Sequence, residues 1–471
     1  MVSLAVSFVV LLAGYFLYGR FIERVFGPDD RKTPAMKNPD GVDCVPISTG
    51  RLFLVQLLNI AGTGPIFGAL MGAAFGPVVF LWIVLGAVFA GAVQDYVSAM
   101  MSCRRNGDSV VELCKVYLGG FAGQVMKVVS VVLLVLVGAV FVSSPAALLE
   151  RLVPGFVGAD VWTIVILLYY LLATLLPIDK IIARLYPVFG AVLLLMAVMV
   201  ISAIVFGGRS VPEVTLESLH PSHLPAWPFM FVTVACGAIS GFHVTQSPIA
   251  AKCIMSEKDG RKVFFGAMIC ESAIALLWAA AGVAFYGTTG GLGAALSSLG
   301  QSGVVYDIST GLLGLFGGAL AVIGVIICPV STGDTAFRSA RMIVAESTGL
   351  PQAGLRNRLL IAVPLILIGF VLTKINFDVL WRYFSWTNQT IAMIVLWMAS
   401  SYLIREGKKV LSLVTALPGA FMSAVSMTYI LMAKEGFGLP ASVAYPSGVA
   451  FAVVCFGVYA FFAIRSGRRG A

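Results

Sequence analysis

Thirteen apolar stretches alternate with short polar connections along this chain of 471 residues. The uncharged windows make the pattern plain. Between Lys127 and Glu150 lie 22 residues with no ionisable side chain, between Arg184 and Arg209 lie 24, between Asp307 and Asp334 lie 26, and between Lys409 and Lys434 lie 24. Each window exceeds the roughly 20 residues that a helix needs to cross a bilayer. Strands of a membrane barrel would alternate apolar and polar side chains over about ten residues, and no such alternation occurs. The pattern predicts spans at about 2–20, 52–75, 77–101, 128–149, 160–177, 187–207, 227–251, 264–286, 310–336, 359–373, 379–402, 410–432 and 442–464.

Two of these spans carry helix breakers at their centres. The longest uncharged run, 43 residues between Arg51 and Asp95, contains Ile60-Ala61-Gly62-Thr63-Gly64-Pro65. The run from Ser218 to Ala251 contains Cys236-Gly237-Ala238-Ile239-Ser240-Gly241-Phe242-His243. A helix broken at bilayer depth exposes backbone groups that lipid cannot satisfy, so protein, water or a ligand must do so. Paired breaks in the two halves of a polytopic protein point to a transporter's substrate site. The competing reading is that these glycines only let helices pack closely, as small residues commonly do in membranes.

Composition agrees with a polytopic membrane protein: 59% of residues are hydrophobic, 11% are charged and the mean hydropathy is +0.98. The cations divide sharply between alternate connections, 26 Lys and Arg on one side and 5 on the other. By the positive-inside rule the amino terminus lies outside and the carboxyl terminus in the cytoplasm. The net charge of +9 is thus a signal of topology and no argument for nucleic-acid binding. Residues Met1 to Gly19 lack a leading positive region and are followed by their cations, which suits an uncleaved span rather than a signal peptide. The eight cysteines form no CxxC pair, so neither a disulfide framework nor a zinc site is expected.

With this topology the two broken spans run in opposite directions, and each opens a unit of five helices. That is the inverted-repeat plan of LeuT-like secondary transporters, here with one extra span before the core and two after it. The expected division is 1–50 for the extra amino-terminal helix and its cytoplasmic segment, 51–207 and 208–403 for the two repeats, and 404–471 for the last two helices and a short tail.

Several segments also resemble the carbon starvation protein A family. They are the first break itself, Ala90-Gly91-Ala92-Val93-Gln94-Asp95, Arg104-Arg105-Asn106-Gly107, the stretch Phe229 to Phe242 with the second break and His243, and Ser385-Trp386-Thr387-Asn388-Gln389. The resemblance covers about residues 25 to 400. It implies a prokaryotic cytoplasmic-membrane transporter for peptides or pyruvate, driven by an ion gradient. The chain is shorter than the long family members, and Val55 and Gln56 stand where those carry paired histidines.

The chemistry reads as follows. Unwinding around Gly62, Thr63 and Gly64, and around Gly237, Ser240 and Gly241, would present helix amino termini to a carboxylate and carbonyl ends to a cation. His243 follows the second break and is a candidate to contact substrate, or else a packed, satisfied histidine. Asn388 and Gln389 are candidate substrate ligands or interhelical glue. Three acids lie inside apolar spans: Asp95, Glu271 and Asp334. Such acids are costly in a membrane and are candidates for proton relay or ion binding; all three match family positions. Asp334 has a second reading, since Arg338 lies one turn on and would pair with it. Ser331 and Thr332 lie in the third helix of the second repeat, which in LeuT-like folds supplies hydroxyl ligands for sodium. The alternative is that they bond their own helix. The coupling ion is therefore H+ or Na+, with no other cofactor.

A membrane-embedded enzyme is disfavoured, because only three histidines occur and neither HExxH nor GxSxG is present. The sequence thus predicts a multi-pass transporter importing a small molecule, surrounded by lipid and with no nucleic-acid partner. A channel or transport-linked sensor without coupled accumulation is the alternative.

Overall fold

The computed structural model describes the chain apart from residues 38, 40–43, 176, 177, 353 and 466–471 and the side chains of residues 175 and 178–186. The side chains of Lys180, Arg184, Arg468 and Arg469, which enter the charge asymmetry, lie outside the described residues.

The bundle is helical throughout, with no strand among the described residues. Its main elements are α1 (Val2–Phe26), α2 (Thr49–Ile60), α3 (Gly64–Ala73), α4 (Val78–Arg104), α5 (Val110–Leu118), α6 (Gly120–Leu152), α7 (Ala159–Leu175) and α8 (Ile178–Phe206). There follow α9 (Ala226–Thr233), α10 (Gly241–Ala251), α11 (Glu257–Tyr286), α12 (Thr289–Thr348), α13 (Leu355–Leu372), α14 (Phe377–Arg405), α15 (Leu413–Met432) and α16 (Ala441–Arg465).

Among the described residues, nine helices are long and apolar enough to cross a membrane, and α2 with α3, bent by 60° at the first break, make a tenth. The other three expected spans are helical but miss that standard for separate reasons. Helix α7 is short, α9 and α10 are parted by the second break, and α14 carries the polar run Ser385 to Gln389. The expected span at 310–336 lies within α12, a 60-residue helix that turns at Gly300 and again, inside that span, at Gly314. Both turn residues have φ of +68°, a conformation that glycine reaches without the Cβ clash other residues suffer.

Both breaks lie in the middle of the bundle. Helix α10 packs against α4, α14 and α2, while α11 and α12 also cover α2. Helices α6 and α12 run along each other, α1 lies against α4 and α11, and α15 and α16 add to the flank of α14. Helices α1, α15 and α16 thus lie on the flanks of the bundle.

At the cation-rich end a buried ion pair ties four segments together. Arg104, at the end of α4, reaches Glu257 at 2.9 Å, and the Glu257 side chain is fully buried. The same guanidinium donates to the Gly27 carbonyl at 2.7 Å and to the Tyr402 hydroxyl at 2.9 Å. Removing either charge would strand its partner away from water, which is why such pairs are sensitive to single substitutions.

Candidate functional site

The breaks form because their sequences cannot continue a helix and because the neighbours replace the lost hydrogen bonds. At the first, Ala61 leaves helical geometry with φ −81° and ψ 67°, and Pro65 lacks the N–H a continuing helix would use. At the second, Val234 has φ −85° and ψ 72°, and Ser240 is extended at φ −147° and ψ 124°.

The exposed backbone of the second break is bonded chiefly by side-chain amides. Asn388 Oδ1 accepts from the Phe242 N–H at 2.6 Å and the Ser240 hydroxyl at 3.2 Å, and its Nδ2 donates to the Ala235 carbonyl. Gln389 Nε2 donates to the carbonyls of Phe231 at 3.0 Å and Val234 at 3.4 Å. Gln94 Nε2 donates to the Ser240 carbonyl at 2.6 Å. Asn388 and Gln389, candidates for substrate ligands or interhelical glue, and Ser240, a candidate substrate ligand, here brace the unwound chain. At the first break the Thr332 hydroxyl lies 2.7 Å from the Leu58 carbonyl and 2.8 Å from the Cys328 carbonyl of its own helix.

The four glycines of the breaks sit flush against neighbours. A Cβ at Gly64 would lie 2.2 Å from Cys236 Sγ, and one at Gly241 would lie 2.3 Å from the Asn388 carbonyl oxygen. Gly62 and Gly237 are as tightly placed, against Phe141 and Ala275. Close packing thus accounts for glycine at each position, while the breaks themselves remain.

Where the two breaks meet, three ionisable side chains from three helices converge. His243 on α10 places Nδ1 2.8 Å from Asp95 Oδ2 on α4 and Nε2 3.2 Å from Glu271 Oε2 on α11, and all three side chains are fully buried. The Asp95 contact is a hydrogen bond, whereas the Glu271 contact is a close charge contact off the line of one. Both acids follow a widened helical turn, Ala87–Gly91 in α4 and Arg261–Phe265 in α11. Gly91 in the first turn lets α4 approach the second break, because a Cβ there would lie 2.4 Å from the Ala238 carbonyl oxygen.

Cys236, His243 and Glu271 offer ligand atoms within 4.8 Å of one another, close enough to hold a metal ion. His243, however, already directs both ring nitrogens to carboxylates, so a metal there would have to displace the Glu271 contact.

Other candidates fall elsewhere. Asp334 accepts from the Tyr169 hydroxyl at 3.0 Å and so turns towards α7. Arg338 donates to the Ala173 carbonyl on that same helix. The Ser331 hydroxyl bonds Cys328 of its own helix at 2.8 Å. Gln94 and Cys236 join the site although sequence reasoning gave them no role; the polar Gln94 in an uncharged run beside Asp95 was the available signal. A cavity of about 900 Å³ opens at the cation-rich end and reaches Thr245, two residues past His243, with Asn106, Lys252, Arg341 and Glu346 among its lining.

Comparison with known proteins fits this architecture. The family model for carbon starvation protein CstA matches residues 1–157 and 155–289. An uncharacterized membrane protein of Haemophilus influenzae is 41% identical over 330 residues, 59% of this chain and 89% of that protein. A peptide transporter CstA of Campylobacter jejuni is 27% identical over 57% of this chain and 48% of its own length. The pyruvate/proton symporter BtsT of Escherichia coli is 28% identical over 58% of this chain and 47% of its own length. The chain thus matches about half the length of these two named transporters. Among solved structures, MhsT in complex with L-phenylalanine superposes with a TM-score of 0.58 over 89% of this chain and 99% of that chain, at 14% identity. A mutant of the Eremococcus coleocola manganese transporter gives a TM-score of 0.54 over 90% of this chain and 95% of that chain, at 11% identity. At such identities the likeness concerns fold alone, and the fold is LeuT-like.

Proposed function

Since the chain belongs to the carbon starvation protein CstA family, we propose that it is a proton-coupled secondary transporter of the cytoplasmic membrane. It imports a peptide or a pyruvate-like small carboxylate by alternating access. The observation that carries this reading is the buried chain Asp95–His243–Glu271 at the meeting point of two interrupted helices.

The chain has the chemistry of a proton site. An imidazolium directs an N–H at each carboxylate, whereas neutral imidazole has only one N–H. Losing that proton sets an acceptor nitrogen against a carboxylate in a fully buried site, which is unfavourable. Release of the proton is therefore tied to movement of α10 relative to α4 or α11. In the five-plus-five plan these two helices are the second spans of the opposed units, so Asp95 and Glu271 face His243 from helices of opposite direction. A motion that tightens one contact loosens the other. The cavity at the cation-rich end supports a cytoplasmic exit path, and that placement matches an outside amino terminus.

Sodium coupling is the second reading, favoured by the Thr332 hydroxyl against the carbonyl end of α2. Uptake into proteoliposomes, with labelled pyruvate and labelled dialanine under separate pH and sodium gradients, tests the proposal. Accumulation above the outside concentration, driven by the pH gradient alone, is expected. Equilibration without accumulation would make the protein a channel, and accumulation driven only by sodium would remove the proton role.

A further inference from the structure

Beside the first break, two amide side chains are completely buried and make no hydrogen bond with the protein. All four polar atoms of Gln56 and Asn59 are in this condition, as is the hydroxyl of Thr63. Burying an amide without a partner is costly, and native structures rarely leave such groups unexplained. Here two occur one turn apart on the same helix.

The rotation of α2 fixes where they face. Leu54 contacts α8 at Gly190, and the Leu58 carbonyl meets α12 at Thr332. At about 100° per residue, Gln56 and Asn59 occupy the opposite side. The neighbours left for that side are α10, which carries His243, and α11, which carries Glu271; both pack against α2. Thr63 continues the row into the break.

We infer that Gln56 and Asn59, with Thr63, are substrate-binding residues that select for an amide. A carboxamide offers two N–H donors and one acceptor oxygen. A small peptide supplies both an N–H and a C=O and can satisfy both ends of an amide side chain. Pyruvate supplies acceptors only, so it would leave the oxygens of Gln56 and Asn59 unpaired in a buried site. Discrimination against a ligand that strands buried polar groups is large, because the whole desolvation cost returns. Asp95 and Glu271 give the meeting point of the breaks two carboxylates, which would attract the peptide's ammonium rather than a bare carboxylate.

This inference rests on the proposed transport reading, with the substrate taken between the two breaks, but it is tested without any ion gradient. Calorimetric titration of the purified full-length protein with dialanine and, separately, with pyruvate compares the parent with Gln56→Leu and Asn59→Leu. Each substitution is expected to raise the Kd for dialanine at least tenfold and to leave the melting temperature unchanged or higher, because an unpaired polar group is removed. Gln56→Glu keeps the shape and removes the donor; it should weaken dialanine binding similarly and serves if the leucine variants cannot be purified. The inference is overturned if the parent does not bind dialanine, if the variants keep the parent's Kd, or if dialanine and pyruvate weaken alike. Loss of pH-driven uptake with these binding results intact would count against proton coupling alone.

Discussion

Gly64 and Cys236 are a point of close contact between the two interrupted helices: a Cβ on the glycine would lie 2.2 Å from the thiol sulfur and 2.4 Å from the cysteine Cβ. Overpacking of this kind costs about 1–3 kcal/mol. Gly64→Ala should therefore lower the melting temperature and slow uptake, and adding Cys236→Gly should restore much of both. Strictly additive effects in the double-mutant cycle would show that the two breaks do not depend on this contact.

The aligned bond to Asp95 and the looser contact to Glu271 lead to different expectations for the two acids. Glu271→Gln should spare exchange of substrate down its gradient and eliminate accumulation driven by an imposed pH difference. Asp95→Asn should do the same and in addition slow exchange, because it disturbs the bond that orients His243. Two single mutants that accumulate substrate like the parent would return both acids to a structural role.

The breaks and the intramembrane acids were legible in the sequence because each violates its surroundings: glycine and proline inside an apolar helix, a carboxyl inside an uncharged run. Their convergence was not legible. Asp95 and His243 are 148 residues apart, and only the packing of α10 against α4 joins them. Asp334 carried a second reading through Arg338 four residues on, and its position on α12 turns it to Tyr169, a partner that local spacing does not show. Asn388 and Gln389 were visible as polar residues in a span, but their partners are backbone atoms freed by a break in another helix, which no local pattern announces. Gln56 and Asn59 went unremarked as candidates because single amides in a span are common, and only their burial without partners sets them apart.

Thr332 separates the two ions. Thr332→Val keeps the shape of the side chain and removes the hydroxyl held between the Leu58 and Cys328 carbonyls, at a cost of about 1 kcal/mol for the lost hydrogen bond. With proton coupling, pH-driven accumulation should survive in this variant at a somewhat reduced rate, with no dependence on external sodium. A sodium requirement in the parent that disappears together with uptake in Thr332→Val would move the coupling site to α2 and α12.

The pair of Arg104 and Glu257 should govern how firmly the cation-rich end is held. Glu257 is fully buried at its carboxylate and also lies 3.6 Å from Arg31; Arg31 keeps its salt bridge to Asp29, so Glu257→Gln leaves the Arg104 guanidinium without its acid. Breaking a buried pair from one side costs about 3–5 kcal/mol, and a marked drop in melting temperature is expected. The Arg104→Met and Glu257→Met double replacement removes both charges and should recover part of that loss. Transport offers a separate measurement: because the pair links α4 and α11, the two helices that carry Asp95 and Glu271, the double variant should bind substrate normally but show a changed rate of pH-driven uptake. An uptake rate equal to that of the parent would confine this ion pair to stability.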